Sequence, residues 1–340
     1  MRAVNSAVNS AVNTVEENGE AMGEPVRVAV VGGGQNCEHD VSLASAAAAR
    51  DALDPARYTA VPLTIDRAGR WIGQDGPLGD TPAASLAEAV RVLGTCAVVL
   101  PLLHGPRGED GALAALCELA GVPCAGSPAR AGALAMDKWA TKLVAEAVGV
   151  RTAAGRLVTA RSEVEFTGPV VVKPVAAGSS FGVRLVTTAE ELAPALRAAL
   201  DLDDRVLVEE VLVGREIDVA VLDDPDTGRR VGPPLEIKVP GELFDTTTKY
   251  DGSAGFTIPA PLSPGESAAL TDAALRVYDA VGCRGVARVD FFLTDDGFVL
   301  NEVNTMPGMT AESQLPRMFA AEGLDYPALL DKLLREAMAR

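Results

Sequence analysis

Residues 26–34, VRVAVVGGG, frame what this chain can become: a Val-rich run passes straight into Gly32, Gly33 and Gly34. A β-branched run without polar alternation suits a strand buried on both faces, and the glycines mark the tight turn at its end. A helix is expected from about Val41 to Leu53, with Asp40 as its N-cap. TAVPLTI and CAVVLPLL read as further apolar strands, and GALAALCELAG as another helix. Strand and helix thus alternate, which specifies an open parallel α/β unit ending near Ala125. The glycines do not make a dinucleotide fingerprint, because the third glycine of GxGxxG falls on Cys37.

A chain of 340 residues is long for one core and suits two or three units, and with 48% apolar residues it can bury them. After the first unit (25–125), a second is expected over 126–209. It opens with the helical stretch SPARAGALAMDKWATKLVAEAVG and continues through PVVVKP, a Gly-Ser loop, VRLV, a helix from Ala189 to Leu200 and the strand RVLVEE. The third unit (210–340) begins with REIDVAVLDD. It carries KVPGELFDTTTKYDGSAGF, an irregular stretch of the kind that is usually functional, then a helix from Glu266 to Val281, a hairpin and two closing helices. Residues 1–24 repeat AVNS, AVNS and AVNT and then turn acidic; a disordered tail, or an over-extended start ahead of Met22, is expected there, with no chemistry.

The net charge of −17 argues against nucleic acid or an anionic membrane as partner, and no stretch approaches the roughly 20 apolar residues of a membrane helix. The five cysteines form no CxxC pair and read as free thiols in a reducing cytoplasm.

The most informative chemistry lies in ARVDFFLTDDGFVLNEVNT. Two strand-like runs flank Asp295-Asp296-Gly297, which suits a three-residue turn with Gly297 left-handed. That register sets Asp290 opposite Glu302 and Arg288 opposite Asn304, all on one face, with Val289, Phe291 and Val303 on the other. Opposed carboxylates require a cation or a proton between them. Magnesium, which favours carboxylate oxygens and phosphates, fits Asp290, Glu302 and Asn304; a solvated polar face neutralised by Arg288 fits the same four residues.

Elsewhere, Lys173 leaves a strand end just before Gly178-Ser179-Ser180-Phe181-Gly182, a loop of backbone donors suited to phosphates although no Walker motif is present. Glu209-Glu210-Val211 ends a strand at an expected exposed edge where an adenine could be read, with Glu216 near a ribose; taken alone, these residues favour a linker with solvated acids. His104 stands at the C-terminal end of a strand, where α/β ligand crevices lie, as general base or as a carboxylate contact, whereas His39 reads as structural.

Taken together, GGGQNCEHDVSL, LHGPRGEDG, MDK, VVKPVAAGSSFGV, VLVEEVLVGREID, TTTKY, ARVDF and NEVNTMPGMT resemble the D-alanine–D-alanine ligase family of ATP-grasp enzymes from Val26 to the C-terminus. The resemblance implies a three-domain ATP-grasp fold with an N-terminal open parallel α/β domain, and ATP held between the second and third domains. It implies that Lys138, Lys173, Ser179, Ser180 and Lys249 serve the phosphates and that Glu209, Glu210, Val211 and Glu216 lie about adenine and ribose. Asp290, Glu302 and Asn304 would hold two magnesium ions, with manganese as the substitute. Glu38 would take the first substrate's amino group, linked through Ser179 to Tyr250. His104 and Ser313 would flank the second substrate, and Arg288 with the Gly308 amide would face the oxyanion. The implied activity is ATP-dependent joining of two D-alanines for peptidoglycan precursors, by a cytoplasmic homodimer.

Two departures qualify the resemblance. Pro174-Val175-Ala176-Ala177 stands where relatives usually carry a polar or charged residue, and Gln314 replaces a common leucine beside the second-substrate pocket. Gln314 motivates the alternative of a related ligase with another second substrate, while Tyr250 favours D-alanine. The 241–256 loop is expected to be mobile without nucleotide.

Overall fold

The computed structural model describes residues 24–238 and 255–340. Lys249, Tyr250, nearly all of the 241–256 loop and the tail up to residue 23 lie outside the described residues.

The first sheet contains β1 (Val26–Gly33), β2 (Tyr58–Ile65), β3 (Trp71–Gly73), β4 (Gly76–Pro77) and β5 (Val98–Pro101) in the order β4-β3-β2-β1-β5. Strand β1 runs parallel to both β2 and β5, so the buried Val-rich run is an interior strand of the sheet, flanked on both sides. Helices α1 (His39–Ala52), α2 (Pro82–Leu93) and α3 (Ala112–Ala120) accompany this sheet. Helix α1 starts two residues earlier than expected and its N-cap is Glu38, not Asp40.

Two helices follow, α4 (Ala129–Met136) and α5 (Lys138–Ala147). Asp137 separates them: its backbone is extended, and its carboxylate accepts the Ala140 N–H at 2.9 Å, which ends one helix and caps the next. Strands β6 (Gly155–Thr159), β7 (Val170–Pro174), β8 (Arg184–Val186) and β9 (Arg205–Glu210) form an antiparallel sheet in the order β6-β9-β7-β8, packed on α6 (Ala189–Leu200).

The third sheet is built from β10 (Arg215–Asp224), β11 (Gly228–Val231), β12 (Leu235–Lys238), β13 (Gly255–Thr257), β14 (Val286–Thr294) and β15 (Gly297–Asn304). Its order is β13-β12-β10-β14-β15, with β11 on β10. Helix α7 (Pro264–Val281) packs on one face; it starts at a capping box in which Ser263 Oγ accepts the Glu266 N–H and the Glu266 carboxylate accepts the Ser263 N–H. Ala131, Ala135 and Ala145 of α4 and α5 share this core with Ile217, Val219, Val277 and Phe291. Helices α8 (Gln314–Ala320) and α9 (Tyr326–Met338) cover the other face and join it to the first sheet through Leu100, Leu222, Phe319 and Leu333.

The hairpin differs from expectation at its tip. Thr294 pairs with Gly297, so Asp295-Asp296 form a two-residue loop, and the register then shifts between Asp290 and Phe291. Leu300 faces Phe291 and Glu302 faces Asp290, which leaves Asn301 as the extra residue of a bulge. The bulge restores the register that a longer turn would have set. Asp290 therefore does lie opposite Glu302, and Arg288 opposite Asn304.

Candidate active site

The paired carboxylates belong to a longer row. Asp218 on β10 pairs in register with Asp290 on β14, which pairs with Glu302 on β15. Arg288 lies two pairs along, on the same face, and its guanidinium meets Asp290 with both Nε and Nη2 at 2.7 Å, with Asp218 at 3.4 Å from Nε. Burial opposes the arginine's charge, but Asp290 and Asp218 hold its pKa well above the ordinary value. Asn304 donates to Asp290 Oδ2 at 2.9 Å, and Lys138 Nζ sits 3.1 Å from Glu302. The row thus draws protein cations to itself, as opposed acids must.

Among the described residues no group of three His, Cys, Asp or Glu gathers to hold a metal ion. The candidate ligand set is Asp290 and Glu302 completed by Asn304, whose oxygen-donor chemistry fits a hard divalent cation. A metal there would have to displace Arg288 from Asp290, since both carboxylate oxygens are engaged.

Around the Gly-Ser loop, Lys138 at the start of α5 donates to the Ala177 carbonyl at 2.8 Å and so touches the loop. Ser179 and Ser180 both take left-handed backbone conformations (φ 50° and 56°), which turns the loop sharply. Glu209 is buried, not at an exposed edge: Lys142 and Lys173 each pair with it at 2.7 Å. Burial alone would raise the Glu209 pKa, but the two lysines hold it below the usual carboxylate range. Burial likewise pushes Lys142 down against the pull of Glu209. Glu210 is exposed and accepts the Ala154 N–H at 2.8 Å, Val211 is exposed beyond the strand end, and Glu216 is half-buried on β10.

On the other side of that loop, the Ser179 hydroxyl donates to Glu38, joining the Gly-Ser loop to the first sheet's unit. His104 is buried with both ring nitrogens engaged. Nδ1 lies 2.9 Å from the Met306 carbonyl, which can only accept, so Nδ1 carries the proton. Nε2, 2.8 Å from Ser45 Oγ, then accepts the serine hydroxyl. Burial pulls the imidazole down to about 4, with Arg288 adding to the shift, so the ring stays neutral near pH 7. Its neighbour Glu109 accepts from Gly105 N at 2.8 Å and from Met306 N at 3.3 Å; burial and then Glu38 push its carboxyl up to about 8. Ser313 Oγ accepts the Thr310 N–H at 3.0 Å, on the loop that Gly308 begins. His39, expected to be structural, is buried with Nδ1 2.7 Å from the Gly34 carbonyl.

A cavity of about 240 Å³ brings together Glu38, His104, Ser179, Arg288, Glu302, Asn304, Gly308 and Ser313, all anticipated from sequence. Lys138, Lys173, Ser180, Glu209, Glu210, Val211 and Glu216 do not line it; Asp290 lies behind Arg288. A cavity of about 260 Å³ beside Trp71, Leu86 and Arg107 holds none of the anticipated residues. Sequence reasoning missed Lys142, Asp218 and Glu109. Only Lys142 carried a local signal, one helical turn after Lys138.

The family model described as D-ala D-ala ligase N-terminus matches residues 27–127, and D-ala D-ala ligase C-terminus matches 144–335. A D-alanine–D-alanine ligase of Nocardia farcinica is 40% identical over 358 residues, covering 94% of this chain and 99% of its own. Among solved structures, the VanG D-Ala:D-Ser ligase of Enterococcus faecalis superimposes with a TM-score of 0.78 at 32% identity, covering 92% of this chain and 99% of that one. The Bacillus anthracis D-alanine–D-alanine ligase complexed with ATP gives 0.77 at 27%, covering 93% and 98%.

Proposed function

This chain belongs to the D-alanine–D-alanine ligase family, with its ATP-grasp fold, and from that premise we propose how its residues share the work of joining two D-alanines. The reaction is ATP-dependent. The first D-alanine's carboxylate takes the γ-phosphoryl group, giving an acyl phosphate and ADP; the second D-alanine's amine then attacks the acyl carbon, and phosphate leaves as the amine loses its proton.

The observation that carries the division of labour is the single cavity shared by Glu38 and Ser179 on one side and Arg288, Glu302 and Asn304 on the other. Glu38 binds the first ammonium and is itself held by Ser179. Lys138 and Lys173 stand at the phosphate end, together with Ser180 of the Gly-Ser loop. Lys249, from the 239–254 segment outside the described residues, is assigned to the γ-phosphate by resemblance alone, as Tyr250 is to the Ser179–Glu38 chain. Glu209, Glu210, Val211 and Glu216 are assigned to the adenosine, with Glu209 also fixing Lys173. Asp290, Glu302 and Asn304 would hold two magnesium ions, which when bound neutralise the phosphates so that two anions can meet. Arg288 and the Gly308 N–H then face the oxyanion of the second step. His104 does not serve as the base: its lone pair accepts from Ser45, and its proton fixes the Met306 carbonyl two residues before Gly308. With Ser313 it shapes the second amino acid's end of the cavity.

Asn304→Ala tests the ligand set. It should raise the magnesium needed for half-maximal ADP release about tenfold and weaken manganese binding, read by spin resonance without substrate turnover. Unchanged values on both would remove Asn304 from the set.

A second reading keeps the chemistry and changes the second amino acid. Gln314 lines the cavity and accepts from Arg288 Nη1 at 2.5 Å, and one structural neighbour is a D-Ala:D-Ser ligase. ADP release across D- and L-amino-acid pairs separates the two; silence with D-alanine alone would reject the first. The family further supports a cytoplasmic homodimer acting in peptidoglycan precursor synthesis. Among the described residues no helix is long and apolar enough to cross a membrane.

A further inference from the structure

Asn36 lies on the loop between β1 and α1, two residues before Glu38, and no role falls to it in the assignments above. Its amide makes three hydrogen bonds, all to main chain. Oδ1 accepts the Glu38 N–H at 2.8 Å, while Nδ2 donates to the His104 carbonyl at 2.8 Å and the Pro106 carbonyl at 2.7 Å. One acceptor and two donors on a short planar group is a combination only asparagine supplies: serine has one donor, aspartate none, and glutamine is a methylene too long.

The two carbonyls flank Gly105, and Gly105 is a wall of the slot that holds the Glu38 carboxylate. A Cβ at Gly105 would stand 2.3 Å from Glu38 Oε2, and one at Gly178, on the Gly-Ser loop, 2.2 Å from the same atom. Gly105 also has φ +71°, a conformation that other residues rarely adopt. Glu109 takes the Gly105 N–H from the other side. The slot has no slack, so a small shift between the Glu38 loop and the 104–106 loop must move the carboxylate.

We propose that Asn36 is a positioning residue for the first amino acid: its amide locks the Glu38 loop onto the His104–Pro106 loop and thereby sets where the carboxylate meets the substrate's ammonium. The inference rests on the reading of Glu38 as the ammonium's partner. The alternative is purely local, because an asparagine accepting the N–H two residues on also starts the turn into α1, a task that serine and aspartate perform as well.

Asn36→Ser and Asn36→Asp separate these roles, since both keep the turn and lose the two donors. With initial rates of ADP release fitted for two D-alanine sites, Asn36→Ser should raise the first-site KM about tenfold while kcat and the KM for ATP hold within about threefold. Asn36→Asp sets an anionic oxygen against two carbonyls. Relative to wild type at the same pH, so that the titration of Glu109 cancels, its first-site KM should rise about a hundredfold at pH 9 and recover toward about tenfold at pH 6, as the new acid takes up a proton and donates once. First-site KM values within twofold of wild type for both variants would overturn the proposal, as would equal losses in kcat and every KM with a lowered melting temperature. Glu38→Gln, run alongside, isolates the premise. If it leaves the first-site KM unchanged, the reading of Glu38 fails and the proposal with it; if it raises that KM while the Asn36 variants do not, only the proposal fails.

Discussion

The two ends of the site are held together in opposite ways. At the end proposed for phosphate, charged side chains hold one another: Lys142 and Lys173 grip Glu209, Lys138 meets Glu302, and Arg288 covers Asp290. At the amino-acid end, polar side chains hold main chain: Asn36 ties two carbonyls and an N–H, His104 a carbonyl, and Glu109 two N–H groups. Ion pairs between side-chain tips can be exchanged for those of an incoming polyanion and its metal, because the new partners replace the desolvated charge interactions that are lost. Hydrogen bonds to backbone have no such substitute and fix geometry before substrate arrives. On the proposed assignments, the phosphate end is therefore organised with its ligand, and the amino-acid end ahead of it.

Arg288 stands where the two regimes meet, and breaking it should have the largest effect. Arg288→Lys keeps the charge beside Asp290 but loses the planar fork. Dipeptide formation, followed by chromatography, should fall by about 10²–10³-fold. A loss under threefold would mean that the guanidinium geometry is not used.

The rigid end should show itself in stability against pH. Burial holds His104 at about 4 against 6.5 for a free imidazole, so the unfolded chain takes up the proton first as pH falls. The stability from the neutral ring is complete above about pH 6.5 and is lost as pH drops toward 4, amounting to about 3 kcal/mol. The wild-type melting temperature should fall more steeply over that window than that of His104→Gln, which cannot titrate. Parallel curves would show the ring to be more accessible than its hydrogen bonds imply.

The exchangeable end should yield the smallest and most confined change. Lys142→Met leaves Glu209 to Lys173 alone, tying that lysine more firmly to protein and less to phosphate. The KM for ATP should rise about tenfold with the D-alanine KM values steady. If the D-alanine values moved equally, the separation of the two ends would be wrong.

Much of this was legible without coordinates, for reasons particular residues make plain. The period-2 pattern of β14 and β15 assigned Asp290, Glu302, Arg288 and Asn304 to one face, since Val289, Phe291 and Val303 had to be buried on the other. The turn was misread by one residue, and the bulge at Asn301 compensated, which no local pattern announces. Asp218 stood out in no local pattern of REIDVAVLDD, and its place in the row exists only once β10 pairs with β14. Glu209 read as an edge residue because its two lysines come from 67 and 36 positions earlier in the chain.

The sequence by itself determined the buried parallel strand, the alternation that requires an α/β sheet, and which polar residues share a strand face. These follow from local sterics and the burial of apolar groups, which act over a few residues at a time. Only the tertiary structure decided which charges neutralise which, the tautomer and low pKa of His104, and the slot that Gly105, Gly178 and Asn36 make around Glu38. Those depend on distance and desolvation between groups far apart in the chain, and neither quantity exists until the sheets have packed.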